Sequence, residues 1–80
     1  MNKIEVRLYS SLRKYNPNPA SSESFIIEFD DKAKLGNILD KLKIPGEEVG
    51  VLMVNGSWEK ESYLLQDGDR IGISPLIGGG

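Results

Sequence analysis

The sequence contains neither cysteine nor histidine. The first absence excludes disulfides, thiolate-bound metals and a cysteine nucleophile. Together the two absences remove the thiol and the imidazole from which the common nucleophile-and-base constellations are assembled. Charge of one sign is also missing: 10 Lys and Arg against 12 Asp and Glu give a net charge of −2, with the two signs interspersed. Such a surface offers no basic stripe to neutralise a phosphate backbone, so nucleic acid is not expected as a partner. Long apolar runs are absent, and Lys3, Glu5 and Arg7 put charges where a signal peptide would carry its apolar stretch. A cytoplasmic protein with no membrane partner is the expectation.

Eighty residues make a single domain, 1–80. A chain of this size buries little more than about 60% of its unfolded surface, so the core is modest and surface recognition is favoured over a deep interdomain cleft. Ile4, Val6 and Leu8 alternate with charged residues, the period-two signature of a half-buried strand. Ser10–Tyr15 reads as a short helical turn, and the two prolines within 16–22 make a loop. Ser24–Phe29 reads as a second strand with Phe25, Ile27 and Phe29 on one face.

A helix is expected from about Lys32 to Lys43, because Leu35, Ile38, Leu39 and Leu42 form one stripe, with Asp30 and Asp31 as N-cap candidates and Pro45-Gly46 as the stop. Gly36 inside that stripe suggests a close backbone approach. Val51–Val54 is continuously apolar, as in a strand that is central or covered on both sides, and Asn55-Gly56 signals a hairpin leading into a return strand at Trp58. Gln66–Asp69 reads as a tight turn in which Asp67 and Asp69 are turn formers, not acid-base groups, and Glu47-Glu48 reads as a solvated pair. Ile71 and Ile73 belong to a last strand. The order strand, strand, helix, strand, short strand, strand is satisfied most simply by an α+β, β-grasp (ubiquitin-like) fold: a mixed sheet of about five strands, the first and last paired in parallel, with one main helix across it.

Gly78, Gly79 and Gly80 then end the sequence directly after Ile71–Ile77. Three glycines bring no side chain to a core and lose the most backbone entropy on ordering, so a flexible tail, 76–80, is expected. A tail without Cβ atoms can thread a slot too narrow for other residues and carry a free carboxylate into a partner's active site. With no polyhistidine tag present, Gly80 is expected to be the natural end, and its carboxylate is the candidate reactive group. Pro75, Leu76 and Ile77, apolar residues leading into the tail, are candidate partner-binding anchors together with Gly78 and Gly79.

Val6–Arg13, Leu35–Leu42, Val54-Asn55-Gly56, Asp67–Ile71 and Ser74–Gly80, in this order and spacing, resemble the MoaD/ThiS-like, ubiquitin-like sulfur carriers, and within them the small subunit of molybdopterin synthase. The resemblance implies a non-catalytic carrier subunit, not a stand-alone enzyme, which binds no cofactor or metal of its own. It implies an E1-like adenylating partner that uses ATP to join the Gly80 carboxylate to AMP, conversion to a thiocarboxylate, and delivery of sulfur to a molybdopterin synthase large subunit or an equivalent acceptor. The chemistry needs activation because an α-carboxyl group of pKa about 3.5 is a poor electrophile once ionised. Alternatives are a modifier conjugated to lysines through Gly79-Gly80, a thiamine-type carrier, and a non-covalent interaction domain. The Ser11-Leu12-Arg13 segment tilts the choice among carriers toward molybdopterin.

Overall fold

The computed structural model describes residues 1–17, 24–30 and 32–76. Five strands form one sheet: β1 (Asn2–Leu8), β2 (Ser24–Phe29), β3 (Val49–Val54), β4 (Ser57–Trp58) and β5 (Arg70–Pro75), in the order β2-β1-β5-β3-β4. A single α-helix, α1 (Leu35–Leu42), lies among the described residues, with 3-10 segments at Ser10–Tyr15 and Gly46–Glu48. β1 runs antiparallel to β2 and parallel to β5, while β5 runs antiparallel to β3. The expected β-grasp is therefore the fold, with the first and last strands side by side at the centre.

Alternation decides which face is buried. Ile4, Val6 and Leu8 of β1, Ile27 and Phe29 of β2, and Ile71 and Ile73 of β5 point to the helix side and are buried against Leu35, Ile38 and Leu39 of α1. Leu12, from the 3-10 segment, plugs the same core. β3 lies between β5 and β4, the central alternative of the two expected, and is covered on one face only. Leu52 and Val54 are buried, but Val51 and Met53 are only half-buried, because the second face of the sheet is open. Its continuous apolar run thus serves a core on one side and a surface on the other.

The helix is shorter than the expected span of about Lys32 to Lys43, and its N-cap is Lys34, not Asp30. Lys32 has a left-handed backbone, φ 70°, which a helix cannot contain. Beyond it, residue 34 forms a β-bridge with Leu64, and the Leu65 N–H donates to the Ala33 carbonyl at 2.9 Å. Tertiary pairing thus takes residues 33 and 34 away from the helix; Asp31 lies outside the described residues. Lys34 occupies the cap position, its N–H donating to Asn37 Oδ1 at 2.7 Å. The next two N–H groups, of Leu35 and Gly36, donate to the carbonyls of Tyr63 and Glu61 at 2.8 and 2.9 Å. A loop from elsewhere in the chain therefore caps the helix. It comes so near that a Cβ on Gly36 would stand 3.1–3.4 Å from Glu61, the close approach its position in the stripe suggested.

At the other end Lys43, not Pro45-Gly46, stops the helix. Lys43 is left-handed (φ 61°), its N–H donates to the Asp40 carbonyl at 3.1 Å, and the Ile44 N–H donates to the Leu39 carbonyl at 2.9 Å. These are the paired bonds of a Schellman cap, with Ile44 and Leu39 both in the core.

The turns follow their residues. Asn55 and Gly56 both have positive φ, 52° and 87°, as a tight hairpin between β3 and β4 requires. Asp69 is more than a turn former. It is 6% exposed, and its carboxylate accepts from Asn55 Nδ2, the Tyr63 hydroxyl and the Gln66 N–H, each at 2.9 Å. Burial first, and the bond to Asp69 second, raise the Tyr63 phenol above its ordinary pKa. Asp67 works at the sheet, its Oδ1 accepting the Lys3 N–H at 2.7 Å, and the Gly68 N–H donates to the Lys3 carbonyl at 2.7 Å. The turn thereby sets the register of β5 on β1.

Two substitutions test this account of the helix. Leu39→Ala should cost about 2–5 kcal/mol in chemical denaturation, because Leu39 is buried and also supplies the apolar half of the cap. Lys43→Gly should stabilise by up to about 1 kcal/mol in the same assay, since glycine meets no Cβ penalty at positive φ. A destabilised glycine variant would show that the cap is not left-handed.

Candidate functional site

β5 is the last strand among the described residues and lies in the middle of the sheet. Its end is built with unusual closeness. The pairing of β3 with β5 shifts register between Val49, opposite Pro75, and Val51, opposite Ser74, so Gly50 is the extra residue of a bulge. A Cβ on Gly50 would lie 2.7 Å from the Pro75 carbonyl oxygen and 2.9 Å from both the N and Cα of Leu76. No side chain fits there without displacing backbone. Two residues before Gly50, the Glu48 carbonyl accepts the Leu76 N–H at 3.3 Å. Leu76 is thus held through its main chain while its side chain is 65% exposed.

A second layer braces that point. The Tyr15 hydroxyl donates to the Glu48 carboxylate, 3.1 Å from either oxygen, and Lys14 Nζ stands 3.8 Å away, also above the Tyr15 ring. Burial and then the bond to Glu48 raise the Tyr15 phenol above its usual pKa. Glu48 is therefore no solvated bystander. It ties the 3-10 segment Ser10–Tyr15 to the root of the tail.

Of the expected site residues, Pro75 and Leu76 are placed here, Pro75 half-buried opposite Val49 and Leu76 projecting outward. Ile77, Gly78, Gly79 and Gly80 lie outside the described residues. The sequence reading missed Gly50 and the Tyr15–Glu48 brace. For Gly50 a signal existed, since a lone glycine within a strand pattern marks a bulge or a close backbone approach.

The open face of the sheet adjoins this root. Pairing registers place Arg7, Gly72, Met53 and Trp58 in one row across β1, β5, β3 and β4. The Tyr9 ring lies over Gly72, its Cε2 3.4 Å from where a Cβ would be, and the Arg7 guanidinium sits 5.4 Å from the ring centroid. Glu5, Arg70 and Ser74 border the same shallow groove of about 400 Å³. No described cluster of three His, Cys, Asp or Glu could hold a metal, and no described helix is long and apolar enough to cross a membrane. What the site offers chemically is presentation: a fixed strand end beside a partly apolar face.

Gly50→Ala tests the strand-end geometry. Overpacking against main chain should cost about 1–3 kcal/mol and move the amide resonance of Leu76, while Gly46→Ala, at an unhindered glycine, should leave that resonance in place.

The same architecture recurs in known proteins. Small archaeal modifier protein 1 of Haloferax volcanii superposes with a TM-score of 0.76 at 18% identity, over 96% of this chain and 100% of that one. Urm1 of Trypanosoma brucei gives 0.68 at 18%, over 99% and 96%. In the complex of subunits 1 and 2 of molybdopterin-converting factor from Helicobacter pylori, one chain matches with a TM-score of 0.60 at 25% identity, over 98% of this chain and 99% of that one. Comparison with curated protein sequences gives no match. The family described as Mut7-C ubiquitin matches residues 1–78, nearly the whole sequence, and to that family of ubiquitin-like domains the chain belongs.

Proposed function

We propose that this protein is a cytoplasmic sulfur carrier whose C-terminal carboxylate at Gly80 is adenylated and then thiocarboxylated, and that it delivers sulfur in the biosynthesis of molybdopterin. The observation that carries the reading is the end of β5. A central strand is locked by the Gly50 bulge and the Glu48 carbonyl as far as Leu76, and the sequence continues with Ile77 and three glycines. Four extended residues span at most about 14 Å, the reach this reading gives a carboxylate at Gly80. The E1-like partner brings the ATP. A carboxylate oxygen attacks the α-phosphorus and pyrophosphate leaves; a hydrosulfide-equivalent donor then attacks the acyl carbon, forming the C–S bond as AMP departs with the oxygen.

The carrier's own contribution is positional. Tyr9, Met53 and the exposed Leu76 offer apolar surface for docking beside the exit, and the glycines let the tail enter a narrow channel. The likeness to one chain of a molybdopterin-converting factor complex favours a large-subunit partner. A second reading draws on the likeness to a small archaeal modifier protein: the same activated carboxylate attached to lysines of target proteins.

Incubation with the cognate activating enzyme, ATP and a sulfur source should give the mass of one oxygen-for-sulfur exchange at Gly80. Gly79→Val should abolish that exchange with an unchanged thermal melt. An unmodified C-terminus with an activating enzyme of proven competence would reject the carrier reading. Higher-mass conjugates in lysates that vanish on deleting Gly79-Gly80 would establish the modifier instead.

A further inference from the structure

We propose that the recess beside β4 is a binding site for a cationic side chain, an arginine guanidinium above all, presented by a partner protein. Trp58, Glu59, Lys60, Ser62 and Tyr63 line it, around about 380 Å³. Trp58 is 77% exposed, a costly placement for the largest apolar side chain of the protein. Tryptophan also presents the best aromatic face for a cation. The opposite wall is fixed. The Tyr63 hydroxyl donates to Asp69, and Asp69 is itself held by Asn55 and by the Gln66 N–H, so the phenol ring cannot swing away.

Glu59 adds the charge. Its N–H donates to the Leu52 carbonyl at 3.0 Å, and the Tyr63 N–H donates to the Lys60 carbonyl at 3.0 Å, which closes the loop around the recess. Burial first and the bond to Asp69 next raise the Tyr63 phenol, and the Glu59 charge adds to them. Two aromatic side chains and a carboxylate lining one recess favour a flat cation, because a phosphate or an acidic peptide would meet Glu59 and gain nothing from the electron-rich rings. Lys60 borders the same recess and opposes an incoming cation, so it lowers the affinity without changing the sign of the ligand. β4 has only two residues, too few for a partner strand to add along it, which leaves a side-chain contact as the means of recognition. This site stands apart from the tail and does not depend on sulfur chemistry.

Trp58 is the sole tryptophan, so its fluorescence reports on the recess directly. The full chain should be titrated with acetyl-Gly-Arg-Gly-amide and with the citrulline analogue, which keeps the shape and loses the charge, with amide NMR followed in parallel. Saturable changes at Trp58 and Glu59 are expected for arginine in roughly the millimolar range, with citrulline at least about fivefold weaker. Glu59→Gln should weaken binding about three- to tenfold and Lys60→Gln should tighten it about two- to threefold, opposite effects that a merely apolar surface would not give. Trp58→Leu should abolish the NMR response; should that variant fail to fold, the Glu59 and Lys60 pair decides the matter alone. Equal responses to arginine and citrulline, no saturable response, or two charge variants that change affinity in the same direction would overturn the proposal.

Discussion

The parallel contact between β1 and β5 is the constraint on which the rest of the molecule depends. Two strands far apart in sequence can lie parallel only if the chain between them crosses over, and here the intervening chain carries β2, α1, β3 and β4. Val6 beside Ile71 and Leu8 beside Ile73 put four of the most deeply buried side chains at that contact. The turn at Asp67–Asp69 fixes its register from one end, through Lys3 and Glu5, and Tyr9 closes it at the other by donating its N–H to the Ile73 carbonyl. Because β5 is the last strand among the described residues, the same pairing that completes the core also places Pro75 and Leu76 at the end of a central strand.

How much of this was legible in the sequence follows from the range of the interactions. Alternation at Ile4, Val6 and Leu8 and at Ile71 and Ile73, and the turn residues Asn55-Gly56, are local signals, and each element appears where they put it. The helix boundaries were not legible. The left-handed backbone at Lys32 and the pairing of residues 33–34 with 64–65 are tertiary effects that override propensity, and Lys43 takes a conformation the sequence would assign to glycine. Asp69 was half legible: its place in a turn could be read, but its three donors come from residues 3 to 14 positions away, folded onto it.

At the candidate site the pattern is similar. Pro75 and Leu76 could be picked out by their position before the glycines, whereas Gly50 acquires meaning only when β3 meets β5, and Glu48 only when Tyr15 is laid against it. The residues that carry the proposed chemistry and those that aim it are thus different in kind. The former are recognised by composition. The latter are recognised by what they touch, and a single sequence does not record contacts made between positions 25 or 33 apart.

The rigid strand end has an energetic consequence for a carrier of the proposed kind. Ordering each backbone residue costs about 1–2 kcal/mol, so a tail entering a partner's channel loses free energy in proportion to the length that was free beforehand. The Glu48 carbonyl and the Gly50 bulge hold the chain through Leu76, so no residue up to that point adds to the cost. If the anchoring ended three or four residues earlier, the added cost would equal the free energy of a millimolar contact. By permitting the backbones to touch, Gly50 lets β3 and the Glu48 carbonyl hold the chain through Leu76, so in a carrier of the proposed kind the length that must be ordered on entry is set by the strand end as well as by the glycines.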